Sequence, residues 1–288
     1  MIDARRQSSF LVGLIGSAIQ ASLTPAMHER EADENGLRYI YRLIDIEKLG
    51  LDAAALPELL TAAERTGFAG VNVTHPCKQA VIPLLPELSE DARALGAVNT
   101  VVLSNGRRIG HNTDWWGFAE SFRRGLPDVK RERVVQLGAG GAGAAVAHAL
   151  LTLGVAQLMI VDTDPARAEH VAASLTERFG GGRAAAPRDL AAALSKADGL
   201  INATPIGMAK YPGLPLPAEL LRHDLWVADI VYFPLETELL RQARVLGCRT
   251  LDGGGMAVFQ AAEAFRLFTG VTPDTQRMLR HFAAMTHC

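Results

Sequence analysis

Cysteine is scarce in this chain: Cys77, Cys248 and Cys288 are the only three among 288 residues, and no two form a Cys-x-x-Cys pair. A sparse, odd set of this kind excludes a disulfide framework and fits a reducing cytoplasm. A surplus of charge is also missing. Twenty-nine Lys and Arg against 31 Asp and Glu leave a net charge of −2, which lacks the strongly basic footprint of a nucleic-acid binder. The eight histidines form no His-Glu-x-x-His motif, so no metal site is indicated. No apolar run approaches the ~18 residues that a membrane-spanning helix needs. Arg5-Arg6 ahead of Phe10–Ile15 imitates an export signal. Gly13 and Gly16 break that short run, which reads instead as a first buried strand. What remains is 49% hydrophobic and 21% charged, a globular composition long enough for two moderate domains.

Glycine, by contrast, is abundant and placed with purpose. Residues 133–167 read RVVQLGAGGAGAAVAHALLTLGVAQLMIVDTDPAR. The apolar run Val134–Leu137 meets a turn with Gly138, Gly140 and Gly143 in Gly-x-Gly-x-x-Gly register. An Ala/Leu-rich helical segment follows, then a second apolar run, Leu158–Val161, that ends on Asp162. This is the strand–turn–helix–strand layout of a dinucleotide site. Gly138 permits the tight turn, Gly140 lets backbone approach a pyrophosphate, and Gly143 allows close helix–strand packing. The helix N-terminus, with Gly141 and Ala142, offers free N–H groups to the phosphates. A carboxylate at Asp162 suits the ribose hydroxyls of NAD and repels the extra phosphate of NADP. Arg167 is the counterweight, because an Arg near this point can hold that phosphate. It can also pair with Asp164 or stack on the adenine. The charge at the strand end favours NAD over NADP.

The first 110 residues alternate apolar runs with helical patterns. Strands are expected at Phe10–Ile15, Tyr39–Ile44 and Gly70–Val73, with helices near Pro25–Asn35 and Ala53–Thr66. Thr24 reads as the N-cap of the first helix, Pro25 as its N1 residue and Gly36 as its end. Asn105-Gly106, between Val98–Ser104 and Arg107–Asn112, predicts a hairpin with a type I′ turn. Trp115–Gly125 reads as a connecting helix. Beyond it, strands are expected at 134–137, 157–161, 199–202, 226–230 and 249–251. Helices are expected near 141–153, 165–178, 188–195 and 236–246, and two more close the chain at 254–269 and 273–286. The fold class is therefore α/β, with two α/β domains and a cleft. An N-terminal substrate domain covers residues 1–114, and the C-terminal helices of 254–288 return to complete it. A Rossmann-type dinucleotide domain covers 115–253.

Four polar segments fall at expected strand ends, where parallel sheets place functional loops. They are Ser22-Leu23-Thr24-Pro25, Asn72-Val73-Thr74-His75-Pro76-Cys77-Lys78, Gly96-Ala97-Val98-Asn99-Thr100 and Asn112-Thr113-Asp114. Lys78 and Asp114 could form a proton-transfer pair, as a dehydrogenase requires when hydride leaves a hydroxyl carbon. Each residue also has a plainer use. Lys78 could be a solvated helix residue, and Asp114 could cap the helix that begins at Trp115. Ser22 and Thr24 could start a helix, and Asn72 and Asn99 could hold loops.

The segments NVTHPCK, GAVNT, NTD, GAGGAG, NATPIGM and DGGGMAVFQAAEAF, spread from about Leu11 to about Phe282, together resemble the shikimate dehydrogenase family. The likeness is strongest to its NAD-dependent quinate/shikimate dehydrogenase branch. That resemblance implies reversible oxidation of the C3 hydroxyl of quinate, shikimate or both, with Lys78 and Asp114 as the catalytic pair. It implies that Ser22 and Thr24 hold the substrate carboxylate, with Tyr232 reaching it as well. Thr74, Asn99 and Gln260 would bind ring hydroxyls. Ala203, Thr204, Met208, Val231 and Gly253 would line the nicotinamide end. NADP-using members carry Ser-x-Ser and a basic segment after the second strand of the cofactor domain. This chain has Thr24 in place of the second Ser, and Asp162-Thr163-Asp164 in place of the basic segment. One methyl is worth only ~1–3 kcal/mol, which suits dual substrate use. The expected partner is a small polyol carboxylate, with no nucleic acid and no membrane, for a cytoplasmic monomer or homodimer. Alternatives within the same resemblance are a shikimate-only or aminoshikimate dehydrogenase, or a non-catalytic sensor of the same fold.

Overall fold

The computed structural model describes residues 8–286. Arg5-Arg6 and Cys288, used above, lie outside them. The described chain forms two compact units. Unit 1 takes the chain up to Thr113 together with Gln260–Met285, and unit 2 takes Asp114–Phe259.

Unit 1 is built on a six-stranded sheet. Its elements are β1 (Ser9–Gly16), α1 (Thr24–Glu34), β2 (Arg38–Asp45), α2 (Leu56–Arg65), β3 (Gly70–Val73), α3 (Cys77–Ala80), β4 (Glu87–Leu88), α4 (Glu90–Leu95), β5 (Thr100–Ser104) and β6 (Arg107–His111). The strand order is β2-β1-β3-β5-β6-β4. β1, β2 and β3 are parallel, while β5 runs antiparallel to both β3 and β6. The β5–β6 reversal comes from the hairpin. Asn105 and Gly106 both take positive φ, 52° and 72°, as a type I′ turn demands. One face of the sheet buries Ile15, Leu56, Leu60, Val71, Val73 and Val101. On another cluster, Val12, Leu14 and Tyr41 pack with Ala264 and Phe268. Glu31 of α1, 1% exposed, pairs with Arg277 at 2.6 Å and also accepts the Asp274 N–H at 2.8 Å. A buried carboxylate needs such partners, and this pair ties α1 to the C-terminal stretch of the chain.

Unit 2 opens with α5 (Asp114–Gly125). It continues with β7 (Arg133–Leu137), α6 (Gly141–Thr152), β8 (Gln157–Val161), α7 (Pro165–Phe179), β9 (Ala184–Ala185), α8 (Leu190–Leu194), β10 (Gly199–Asn202), β11 (Trp226–Asp229), α9 (Glu238–Val245) and β12 (Arg249–Leu251). Its sheet has the order β12-β11-β10-β7-β8-β9, and every pair is parallel. Counted from β7, that is the 3-2-1-4-5-6 order of a doubly wound dinucleotide fold, with its switch point between β7 and β10. Helices cover both faces. Phe118, Phe122, Val146 and Leu150 pack with Leu158 and Ile160 in one cluster, and Leu194, Leu200, Val227 and Leu239 in the other. The last two helices are α10 (Gly254–Thr269) and α11 (Thr275–Thr286). The chain passes from unit 2 back to unit 1 inside α10.

The observed elements depart from the sequence expectations at four kinds of place. Thr24 is not an N-cap. Leu23 already has helical angles and occupies the cap with no side-chain hydrogen bond, so Thr24 becomes the first helical residue. The hydroxyl of Ser22 accepts the Thr24 N–H at 3.3 Å instead. The helix expected over Ala53–Thr66 splits into a short 3₁₀ turn, Ala53–Ala55, and α2. The carboxylate of Asp52 accepts the Ala54 N–H at 2.8 Å and starts the turn. The two-residue strands β4 and β9, and the short helices α3 and α4, escape periodicity because each spans at most two turns or one pleat.

Candidate active site

In unit 1 the sheet register gathers the polar segments along one edge. Ile15 pairs with Val73, Asn72 with Thr100, and Thr100 with His111. The carboxyl ends of β1, β3 and β6 and the amino end of the reversed β5 therefore share that edge. Ser22 and Thr24 follow β1, Thr74 and Lys78 follow β3, Asn99 precedes β5, and Thr113 follows β6. Thr74 is held by its N–H to the Ile15 carbonyl, 2.9 Å, and Cys77 N–H donates to the Thr74 carbonyl at 2.7 Å. Lys78 lies half-buried on α3. Its carbonyl accepts the Val98 N–H at 2.9 Å, which ties its backbone to the segment carrying Asn99.

Asn99 is buried and tightly held. Its Oδ1 accepts the Thr113 N–H at 2.7 Å and the Thr100 hydroxyl at 3.0 Å, and its Nδ2 donates to the Thr113 hydroxyl at 2.9 Å. Asn72, also buried, accepts the Tyr41 hydroxyl at 2.7 Å and donates to Thr100 at 2.9 Å. Asn72 and Asn99 thus hold loops, as their plainer reading expects. Asp114 directly follows Thr113 and is the first residue of α5, buried. Gln260 lies within α10, half-buried.

One positioning device of this edge was not foreseen. Asp45, at the end of β2, accepts the N–H groups of Ala18 and Ile19, each at 3.2 Å, and the side-chain amide of Gln20 at 3.0 Å. It clamps the loop that leads to Ser22. The Gln20 amide, together with the Lys48, Ile19 and Ala18 N–H groups, holds the Asp45 carboxyl below its usual range against the opposing effect of burial.

In unit 2 the glycine turn has the geometry its spacing predicts. Gly138 has φ +96°, and a Cβ there would meet the Ala203 carbonyl oxygen at 2.6 Å. At Gly143 a Cβ would meet the Gly138 oxygen at 2.3 Å. These two glycines are required by the protein itself. Gly140 and Gly141 are different, since a Cβ on either would meet nothing within 4 Å. They border open space at the start of α6, where Gly140 caps the helix with no side-chain hydrogen bond. Free N–H groups beside room for a ligand make an anion cradle. Gln136, a polar residue inside an otherwise apolar strand, bolts the turn. Its Nε2 donates to the carbonyls of Gly138 and Gly143, both at 2.8 Å. The interruption of the apolar run was the signal for it.

Asp162 stands at the end of β8, beside that turn. Its Oδ2 accepts the Ala139 N–H at 2.7 Å and its Oδ1 the Asp164 N–H at 2.8 Å. Burial pulls this carboxyl up, but those N–H groups and the Arg167 guanidinium outweigh it and hold the group below its usual range. Arg167 lies 3.5 Å from both Asp162 and Asp164 and its side chain is 52% exposed. Asp164 caps α7 through the Ala166 N–H at 3.1 Å. The open cradle, the helix N-terminus and this acid together fit a nicotinamide dinucleotide.

The remaining predicted residues follow the other strands of the switch point. Ala203 and Thr204 follow β10, directly beside Gly138. Met208 is further along the same loop and exposed, Val231 follows β11 and is buried, and Tyr232 beside it is exposed. Gly253 packs on backbone, with a Cβ there meeting the Ile230 oxygen at 2.3 Å.

Fold and site together define the class: a two-unit α/β oxidoreductase with a nicotinamide dinucleotide cofactor. Three family models match in sequence: shikimate dehydrogenase substrate binding domain over residues 14–101, alanine dehydrogenase/PNT C-terminal domain over 122–221, and shikimate 5'-dehydrogenase C-terminal domain over 253–281. A shikimate dehydrogenase (NADP(+)) of Streptomyces avermitilis is 63% identical, covering 97% of each chain. A quinate/shikimate dehydrogenase (NAD(+)) of Corynebacterium efficiens is 51% identical over 96% of this chain and 99% of its own. The solved quinate dehydrogenase of Corynebacterium glutamicum in complex with NAD matches with TM-score 0.92 and 48% identity, covering 96% of this chain and all of its own. This chain belongs to the shikimate dehydrogenase family.

Proposed function

We propose that the protein is an NAD-dependent quinate/shikimate dehydrogenase, oxidising the C3 hydroxyl of the ring reversibly. The observation that carries the cofactor choice is Asp162: a charged carboxylate, 7% exposed in its side chain, fixed beside the cradle at Gly140 and Gly141. Two acceptor oxygens there suit a ribose diol and oppose a phosphate on it. The bound dinucleotide supplies the hydride acceptor.

The chain's own residues do the rest. Ser22 and Thr24 donate hydroxyl hydrogen bonds to the substrate carboxylate, and Tyr232 reaches the same group. Thr74, Asn99 and Gln260 orient the ring hydroxyls. Lys78 takes the C3 hydroxyl proton, the positioned base that such an oxidation requires. Asp114 hydrogen-bonds the same hydroxyl region and stabilises the charged state of Lys78. The Thr24 methyl reshapes the place where quinate carries its C1 hydroxyl, and both substrates remain acceptable because one methyl is worth only ~1–3 kcal/mol.

A second reading has an observation of its own. Arg167 is half-exposed beside Asp162, and the Streptomyces avermitilis relative is named for NADP. Initial rates with quinate, shikimate and aminoshikimate against NAD and NADP decide between them. Turnover of quinate and shikimate with NAD is expected. Turnover confined to shikimate and NADP would overturn the proposal, and silence with every pair would favour a sensor.

A further inference from the structure

The buried polar cluster at the ends of β10 and β11 has no role in the chemistry so far. Asp229, the last residue of β11, is 2% exposed. Its Oδ1 accepts Nδ2 of Asn202 at 2.9 Å and the Val231 N–H at 3.0 Å, and its Oδ2 accepts the Thr237 hydroxyl at 2.8 Å. Asn202 is thereby fixed in orientation, because a carboxylate can only accept. Its Oδ1 then faces Thr204, accepting the N–H at 3.0 Å and the hydroxyl at 2.7 Å, and its Nδ2 also closes on the Ile206 carbonyl at 2.9 Å. Thr237 in turn caps α9 through the Leu240 N–H at 3.3 Å. Gly207, at φ +105°, packs against Thr237. Burial pushes the Asp229 carboxyl up to about 6, against the pull of its three donors.

One acceptor therefore holds three segments: the loop after β10 with Ala203, Thr204 and Met208, the loop after β11 with Val231, and the start of α9. We infer that Asp229 is a positioning residue that builds the floor for the nicotinamide half of the cofactor, acting through Asn202 and Val231 and touching no reacting atom. The inference rests on the reading that those loops face the nicotinamide. It is independent of which ring acid is oxidised. The pyrophosphate cradle at Gly140–Gly143 and Asp162 is built by β7, α6 and β8 and meets the β10 loop only through Gly138, so the adenosine half has largely its own support.

The test is a binding titration of the whole protein, free of substrate and turnover. NADH and ADP-ribose, which lacks the nicotinamide, are titrated against wild type and Asp229→Ala. Losing a buried acceptor shared by several donors is worth about ten-fold or more in what it positions. NADH affinity is expected to fall by that factor while ADP-ribose stays within about two-fold. Asp229→Asn keeps the Oδ1 acceptor and is expected to recover most of the NADH affinity. Thr237→Val removes the Oδ2 donor together with the α9 cap and is expected to weaken NADH in the same sense, which keeps the test open if the Ala variant fails to fold. Equal losses for NADH and ADP-ribose, or no loss for either, would overturn the inference. Wild type that binds ADP-ribose and NADH alike would instead defeat the assignment of these loops to the nicotinamide. Failure to oxidise quinate or shikimate would leave this result standing.

Discussion

At the scale of single residues, the two positions that decide chemistry and cofactor can be tested separately. Lys78→Ala removes the group proposed to take the hydroxyl proton, and kcat is expected to fall by at least ~100-fold, the low end for an acid–base group. NADH binding should be unchanged, and turnover near wild type would remove Lys78 from the reaction. Asp162 is coupled to a neighbour. Arg167 is shared between Asp162 and Asp164 at 3.5 Å each. Removing the first acid takes away the repulsion of a phosphate and frees part of the guanidinium to meet it. Asp162→Ser is therefore expected to weaken NAD and to raise kcat/KM with NADP by about ten-fold or more, one charge-assisted hydrogen bond being worth ~1.5–3 kcal/mol. In Asp162→Ser with Arg167→Ala that gain should vanish. If the double variant keeps it, Arg167 is not the phosphate's partner.

At the scale of elements, the glycine turn separates what the fold requires from what a ligand requires. Gly143→Ala puts a Cβ 2.3 Å from the Gly138 oxygen, so strand and helix must part, and a lower melting temperature is expected. Gly141→Ala meets open space in a helical position, where Ala is favoured by ~1 kcal/mol over Gly. Its melting temperature should hold or rise while NADH affinity falls, because the new methyl occupies the cradle. Thermal unfolding and NADH titration of both variants check this, and unaltered affinity in Gly141→Ala would mean that no ligand approaches there. The sequence made this turn legible because the motif is local, packed into one strand–turn–helix. The unit 1 edge was legible only as four separate segments. Their meeting depends on β5 running backwards between β3 and β6, a long-range pairing that no local period records. Asn105-Gly106 announced the hairpin, yet nothing local announced that its first strand would pair with β3. Asp229 was hidden for a related reason: an acid ending a short apolar strand looks like a surface residue until its three donors arrive from separate elements.

At the scale of the whole molecule, buried titratable groups of opposite sign lie in both units, and unit 2 also buries His148 against Trp115 and Phe179. His28 in unit 1 is fully buried among Tyr39, Tyr41, Phe265 and Phe268, and burial lowers its pKa to about 3. Its folded value lies below the unfolded value of 6.5, so the folded state binds fewer protons between them. Stability is present above pH 6.5 and is lost as pH falls, by about 2 kcal/mol between 6.5 and 5. His111 and His281, also in unit 1, are lowered as well, chiefly by burial, and act in the same direction. Asp229 in unit 2 has the opposite sign. Its folded value of about 6 lies above the ordinary carboxyl value of 3.8, so its burial penalty is present above pH 6 and is relieved as pH falls. The lowered carboxyls Asp45, Asp162 and Glu238 lose their contribution only below their unfolded values near 4, and so do not enter at pH 5. All three tryptophans, Trp115, Trp116 and Trp226, lie in unit 2, which gives that unit its own signal. Urea unfolding at pH 7.5 and pH 5, followed by far-ultraviolet circular dichroism and by tryptophan fluorescence, therefore has a definite expected outcome. Going to pH 5, the circular-dichroism transition should move to lower urea by more than the fluorescence midpoint does. His28→Phe, which removes the buried titrating ring, should shrink that separation. Coincident transitions at both pH values, or a fluorescence midpoint that falls first, would show that burial of His28 does not govern the acid response.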